Sequence, residues 1–187
     1  RRKKAFFAGA GFVFAVIYLL SGIAARDMAE SVLLKTVNSR DHVASRLKVM
    51  PSLGNIFLWR GIYESEGFYH IDAVRLGIFS DHIVYHGKSV KKFETDDMMP
   101  KLNPDSVLYR DIKRFAHFAD GWLAFHPLHP EIIGDMRYSA LPDNSDPLWG
   151  IRINPDNPDK HVDLVYFRSF SREDLTLFFR MLFGYGK

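Results

Sequence analysis

The longest uncharged run in the chain covers residues 5–25 and reads AFFAGAGFVFAVIYLLSGIAA. A helix of this length rises about 30 Å, which is the thickness of the hydrocarbon core of a bilayer. Glycines such as Gly9, Gly11 and Gly22 are tolerated better in membrane helices than in soluble ones. The run therefore predicts a transmembrane helix. Two alternatives stay open. The run could be a cleaved signal peptide, because Gly22-Ile-Ala-Ala25 resembles a cleavage site, or it could be a helix buried in a protein core.

A basic cluster, RRKK at residues 1–4, stands directly before this run. Such a cluster at one end of a membrane helix marks the cytoplasmic side. Segment 1–26 is therefore predicted to be a membrane span with a basic cytoplasmic flank in a bacterial inner membrane. The rest of the chain is then expected in the periplasm, although Arg26, Lys35 and Arg40 reduce the charge asymmetry.

Elsewhere the charges balance. The chain has 25 Lys and Arg against 22 Asp and Glu, and the four basic residues at its start account for the surplus. No basic face for nucleic acid is expected.

Cysteine is absent, which excludes a disulfide scaffold, a thiolate metal site and a cysteine nucleophile. With 47% hydrophobic and 25% charged residues, the chain has the composition of a folded protein rather than a disordered one.

Residues 27–50 are predicted to form a helical stalk. Its apolar stripe recurs at helical spacing and consists of Ala29, Leu33, Val37, Ala44 and Leu47. Pro51 is expected to end the segment. We expect the stalk to pack on the domain it carries; the alternative is a helix on the membrane surface, whose basic residues would meet lipid headgroups.

Residues 51–187 are predicted to form an α+β domain outside the membrane. Segments rich in β-forming residues, or bounded by turn residues, predict strands at 56–63, 68–75, 78–85, 122–125, 132–141, 149–153 and 162–168. The turn at residues 64–67 makes the first two a hairpin. Hairpins with helices inserted later are typical of a mostly antiparallel sheet with packed helices.

Two helices are predicted in this domain. The first begins at Asn103-Pro104-Asp105, carries the apolar stripe Leu108, Ile112, Phe115 and Ala119, and ends at Asp120-Gly121. The second begins with Ser171 and Asp174 as a capping box and ends at Gly184. It is strongly apolar and too short to span a bilayer. We expect it to cover one face of the sheet, with membrane contact as the alternative.

Histidines are the only weak candidates for a metal site. His82 and His86 are four residues apart, and His126 and His129 flank a Pro-Leu pair. Zinc requires three or four clustered ligands, and neither pair has a third ligand at a recognisable spacing, so ordinary histidines are the favoured interpretation. The acidic residues Glu94, Asp96 and Asp97 are interpreted as a solvated turn rather than a cation site. We assign no catalytic residue, since the chain has no P-loop, H-E-x-x-H or G-x-S-x-G motif.

One motif points to a family. Residues 51–60, PSLGNIFLWR, follow a membrane helix and a stalk and enter a hairpin. This pattern, P-[ST]-x-x-N-x-x-L-W-R, resembles the membrane-bound metal-dependent hydrolases of the YdjM type. Weaker matches follow in order: Arg114-Phe115-Ala116-x-Phe118, Asp135-Met-Arg137-Tyr138 and Val165-Tyr-Phe167. The resemblance covers roughly residues 5–168, and in the family this segment opens the C-terminal extramembrane domain.

The resemblance implies a hydrolase whose divalent metal is held by an N-terminal multi-helix region, in motifs containing His-Arg-Gly and His-Ser. None of the eight histidines here precedes Arg or Ser, so no catalytic or metal-binding residue is carried over. The chain also starts without a methionine, and we expect it to be part of a longer protein. The family-motif positions, whose role stays open between structural and functional, are Asn55, Trp59, Arg60, Asp135 and Arg137. A buried Arg60 paired with Asp135 is one hypothesis.

Three functions are compatible with the sequence. The favoured one is a C-terminal domain of an inner-membrane hydrolase, accessory to a metal site outside this chain and packed with its own upstream membrane helices. The alternative is a non-enzymatic, membrane-anchored envelope domain that binds a protein or lipid partner through its sheet face or its aromatic residues. The third is a self-contained metal hydrolase that uses the four histidines named above.

Overall fold

The computed structural model describes residues 2–77, 80–94, 102–167 and 170–185. A long helix, α1 (Arg2–Ser39), is followed by the four-stranded sheet A. Its strands are β1 (Arg46–Pro51), β2 (Leu58–Ser65), β3 (Phe68–Arg75) and β4 (Ile83–Lys91). Helix α2 (Val107–Phe118) leads into the four-stranded sheet B. This sheet contains β5 (Leu123–His126), β6 (His129–Asp135), β7 (Trp149–Arg152) and β8 (Asp163–Tyr166), and helix α3 (Arg172–Phe183) follows.

Both sheets are antiparallel meanders in which each strand pairs with the next along the chain. The α+β class is therefore confirmed, with the strands divided between two sheets. They meet where the Phe93 amide donates to the Leu123 carbonyl at 2.7 Å. Helix α2 covers sheet B, and its predicted stripe Leu108, Ile112 and Phe115 is buried in the core of that sheet.

Helix α1 has two environments. Within it, Gly9–Ser39 contains a window of mean hydropathy 1.7, and none of that window is buried. This segment is long and apolar enough to cross a membrane, and its exposure does not fit the alternative of a buried core helix. Further along, Ala29, Leu33 and Val37 are buried against sheet A, as the stripe predicts.

The stalk prediction is wrong beyond residue 39. Helix α1 ends at Ser39, and Asp41 adopts a left-handed conformation with φ of 56°. Residues 46–51 form strand β1 instead of helix, in register with β2 from Arg46 opposite Glu64 to Pro51 opposite Trp59. Pairing with β2 overrides the helical spacing of Ala44 and Leu47, which contribute to the α1 core from a loop and a strand.

Several element boundaries also differ from the prediction. Helix α2 begins at Val107 with Ser106 as its N-cap, whereas Asn103 closes a turn by accepting from the Asp105 amide at 3.0 Å. Its predicted end is confirmed, because Asp120 and Gly121 have φ values of 53° and 69°. The strand predicted at 132–141 ends at Asp135, and the chain then crosses to sheet A.

Some predictions fall partly outside the described residues. The strand predicted at 78–85 is found at Ile83–Lys91, and Ile78 and Phe79 lie outside the described part of the chain. So do Asp96 and Asp97 of the acidic turn and Arg168 of the last strand.

Helix α3 forms as predicted. Ser171 and Asp174 make the capping box, and Gly184 is left-handed at the C-cap. Its Met181 is buried with Leu58 and Ala73 on the face of sheet A opposite to α1. Sheet A is therefore covered by α1 on one face and by α3, together with the segment that follows β6, on the other.

Candidate functional site

A cluster of charged and titratable side chains lies where α1 ends on sheet A. Two nitrogens of the Arg40 guanidinium lie 2.8 Å from the two carboxylate oxygens of Asp72, and one of them also donates to the Tyr63 hydroxyl at 2.8 Å. Asp72 is fully buried on β3. A bidentate pair of this kind is both strong and directional. The hydrogen bond to Asp72 raises the pKa of Arg40 above its ordinary value, so Arg40 is a cation at neutral pH.

Three histidines complete this Arg40 cluster. His86 Nδ1 lies 2.6 Å from Arg40 Nη2 and 3.2 Å from Asp72 Oδ1. His42 Nδ1 is 2.9 Å from the Tyr63 hydroxyl. The His70 ring stacks on the Tyr63 ring at 4.8 Å and lies 4.5 Å from the His42 ring.

Burial shifts the pKa of two members of this cluster, His70 and Tyr63. It lowers the pKa of His70, and the charges of His42 and Arg40 lower it further. It also raises the pKa of Tyr63, against the effect of the Arg40 hydrogen bond. At neutral pH Tyr63 and His70 are therefore both neutral.

The Arg40 cluster does not suit a metal ion. Arg40 already occupies both oxygens of Asp72 and Nδ1 of His86, and its positive charge would repel a cation. His70 Nδ1 contacts Ser89 Oγ at 2.9 Å, but these residues are direct partners across β3 and β4, so strand register explains the contact. The arrangement can fix the end of α1 on sheet A through a charge pair.

The predicted histidine pairs are placed in different ways. His82 Nδ1 accepts from the Gly77 amide at 3.2 Å, whereas His86 belongs to the Arg40 cluster. His126 and His129 do come together, with ring centroids 4.8 Å apart. His126 Nδ1 accepts from the Leu128 amide at 3.1 Å, and burial lowers the pKa of His126.

In the part of the chain that the structure describes, neither pair gains a third ligand. Among the described residues, no three His, Asp or Glu side chains are grouped so that they could hold a metal ion. The metal that the family resemblance implies therefore does not fit the residues described here.

The first family-motif positions build the loop before β2. Asn55 Oδ1 accepts from the amides of Phe57 at 2.9 Å and Leu58 at 2.7 Å, while Nδ2 donates to Ser52 Oγ at 2.9 Å. Trp59 is buried and donates from Nε1 to the Ile56 carbonyl at 2.9 Å. Both side chains fold residues 52–57 into a fixed loop.

Arg60 joins sheet A to the segment that follows β6. Its guanidinium is buried and donates to the carbonyls of Pro142 at 3.0 Å, Asn144 at 2.8 Å and Met136 at 2.8 Å. Burial lowers the pKa of Arg60 to about 10, against the charges of Asp143 and Asp135. The side chain is therefore still a cation at neutral pH.

The hypothesis that Arg60 pairs with Asp135 is wrong, although Arg60 is buried as expected. Asp135 pairs instead with Arg137, whose Nε and Nη2 lie 2.9 Å and 2.7 Å from its two oxygens. Arg137 also donates to the Phe118 carbonyl at 2.8 Å. The chain leaves β6 after Asp135, and this lets a residue two positions further along reach back to the carboxylate.

The family-motif positions thus lie at junctions between elements of the fold. The Arg40 cluster, in contrast, is not among the sites predicted from the sequence. One signal for it exists: Arg40 follows Leu33 and Val37 at helical spacing, so a charge stands on the buried stripe. Asp72 is the second signal, a carboxylate within a strand of largely apolar residues.

Comparisons with protein-family models, with curated proteins and with solved structures give no match to this chain.

Proposed function

We propose that this chain is a membrane-anchored accessory domain, held at a fixed distance from the bilayer by α1. The observation that carries this proposal is the continuity of α1. One helix of 38 residues passes from an exposed apolar part to a part buried on sheet A, and the Arg40 cluster fixes its end. Because no loop separates anchor from domain, the anchor sets the position of sheet A.

We further propose that the anchored protein is related to the metal-dependent hydrolases of the YdjM type and lies in a bacterial inner membrane. The motif at residues 51–60 and the basic flank support this assignment, with the domain in the periplasm. The divalent metal would then be held by membrane helices upstream of this chain, which would be its partners. In this account Asn55, Arg60 and Asp135 support the fold and take no part in hydrolysis.

A second candidate is a non-enzymatic, membrane-anchored envelope domain that binds a lipid or protein partner. The exposed aromatic residues of α3 favour it, since Phe179 and Phe183 point away from the core. In this case the anchored domain would act through its surface alone.

The experiment that separates these candidates is purification from native membranes with an antibody raised against residues 50–187. A metal-containing species heavier than 21.6 kDa is expected for an accessory domain of a longer hydrolase. A native species of 21.6 kDa without metal would favour the second candidate.

The purified 187-residue chain provides the control. After incubation with Zn²⁺ or Mn²⁺ and removal of the excess, we expect it to retain far less than one metal ion per chain. One retained ion per chain, lost in His126→Ala but kept in His117→Ala, would contradict the proposal and favour a self-contained hydrolase. His117 is a suitable matched control because it is exposed on α2.

A further inference from the structure

The loop at residues 52–57 lies beside the apolar part of α1. Ile56 Cγ2 comes within 3.8 Å of the position that a Cβ would take at Gly22. Gly22 belongs to the uncharged run, and the next charged residue, Arg26, is one turn or about 6 Å further along the helix axis. If α1 spans a bilayer, this loop therefore lies at the depth where the span ends.

The loop carries exposed apolar side chains and no charge, and hydrogen bonds hold its backbone. Leu53 at its tip is 87% exposed, and Phe57 is also exposed. Gly54 has φ of 72°, which suits a tight turn, and the hydrogen bonds of Asn55 hold the backbone. No charged residue occurs between positions 52 and 57.

Helix α3 brings a second apolar group to the same end of sheet A. Arg75 Nε donates to the Leu182 carbonyl at 3.1 Å, and Phe57, Leu182 and Phe183 line one shared depression. Phe183 is 63% exposed, and Tyr185 beyond it is also exposed.

The charges of α3 are arranged along its axis. Glu173 and Asp174 lie in its first turn next to Arg172, and Arg180 lies in its last turn. The first turn, with two acidic residues and one basic residue, is thus remote from the loop, while the last turn, with Arg180 and Phe183, lies beside it. Aromatic residues with nearby Arg are typical of segments at a membrane interface.

We propose that the loop at residues 52–57 and the C-terminal end of α3 form a second membrane contact, in the same leaflet in which the α1 span ends. Leu53 and Phe183 would enter the interfacial region of the lipid. Lipid is the partner because the contact is continuous with the span: Ile56 packs on Gly22, so any bilayer that surrounds Gly22 must also meet the loop. This inference rests on the proposed anchoring by α1.

The contact would fix the orientation of the domain. Sheet A would stand on the bilayer with the start of β2 at the lipid. Ser39, where α1 ends, would lie about 21 Å along the helix axis beyond Ala25.

The test uses the absence of cysteine. Three variants of the full chain each carry one cysteine, in place of Leu53, Val43 or Val13. Each cysteine is labelled with an environment-sensitive fluorophore, and the protein is placed in phosphatidylcholine–phosphatidylglycerol nanodiscs. Val43 is the matched control, because it is also an aliphatic loop residue, 84% exposed, but lies beyond the far end of α1. Quenching by nitroxide lipids is compared with quenching by aqueous iodide.

We expect the label at position 53 to be quenched severalfold more by a shallow nitroxide lipid than the label at position 43, which iodide should quench. The label at position 13 should respond to a deep nitroxide. If position 13 responds to lipid and position 53 behaves like position 43, the inference is overturned and the anchor stands. A position 53 label shielded from both quenchers would also overturn it, since protein would then cover the loop. If position 13 responds only to iodide, the anchoring and this inference both fail.

Discussion

Two buried charges on opposite faces of sheet A are compensated in different ways. Asp72 faces α1 and is neutralised by the Arg40 guanidinium, whereas Arg60 faces the other side and is surrounded by three carbonyl oxygens. A buried charge without partners is costly, so each of these residues makes its neighbouring segment a required part of the fold. Together they connect sheet A to the end of α1 and to the crossing after β6.

Replacing Arg60 should destabilise the protein strongly. Arg60→Met removes all three donors and leaves the carbonyls of Met136, Pro142 and Asn144 without these partners. We expect the free energy of unfolding to fall by about 3 kcal/mol or more, measured by denaturation in detergent with tryptophan fluorescence. Arg60→Lys should recover only part of the loss, because an ammonium lacks the planar guanidinium fork.

Arg110→Met is the matched control for this experiment. Arg110 is exposed on α2, so its replacement should change the free energy of unfolding by less than about 0.5 kcal/mol. Equal effects of the two Met substitutions would show that Arg60 does not join the two parts of the fold.

The low pKa of His70 predicts a pH dependence of stability. In the unfolded chain histidine takes up a proton below its ordinary pKa of about 6.5, whereas the folded protein resists this protonation. The unfolded state then binds more protons, so stability is lost as pH falls below about 6.5. His70→Gln should lose part of this dependence, measured as the free energy of unfolding between pH 8 and 5. A variant with the full wild-type dependence would contradict this assignment.

At the scale of elements, α1 is one helix with two kinds of surroundings. Its first part is apolar on all sides, which suits lipid. Its second part buries only one stripe on sheet A. Gly61 on β2 allows this close approach, because a Cβ there would lie 2.7 Å from a Leu33 methyl group.

Adjacent leucines on α1 give a direct comparison of its two sides. Leu33 is fully buried on sheet A, whereas Leu34 is 44% exposed. Leu33→Ala should lower the free energy of unfolding by about 3 kcal/mol through lost burial and a cavity. Leu34→Ala should cost less than about 1 kcal/mol, and similar losses in the same denaturation assay would show that α1 does not dock by this face.

Elements governed by neighbouring residues could be predicted from the sequence. The capping box of Ser171 and Asp174 and the stop at Asp120-Gly121 depend on residues a few positions apart, and both are confirmed. Strand β1 was missed because its pairing with β2 is a tertiary contact, whereas its apolar residues also fit a helical period. The partners of Arg60 could not be predicted, since they lie about 80 residues further along the chain.

At the scale of the whole molecule, helices and the crossing segment enclose sheet A, and α1 extends from it as a long apolar rod. The end of sheet A from which the apolar part of α1 extends also carries the loop at residues 52–57 and the C-terminal end of α3. A long apolar helix and the α+β class could be predicted from the sequence. It could not be predicted that the loop and α3 meet beside the run, because that position depends on the packing of three separate elements.

The central claim is that α1 leaves a bilayer and enters the domain without a break. The most direct test is the reaction of single cysteines with a water-soluble maleimide in nanodiscs, which expose both faces of the bilayer. Leu20, Leu33 and Leu34 are the positions to compare, since Leu20 is exposed in the protein alone. We predict that Leu34→Cys reacts, that Leu33→Cys is protected by sheet A, and that Leu20→Cys is protected by lipid. If Leu20→Cys reacts as fast as Leu34→Cys, the apolar part of α1 lies in water and the account of a membrane-anchored domain is wrong.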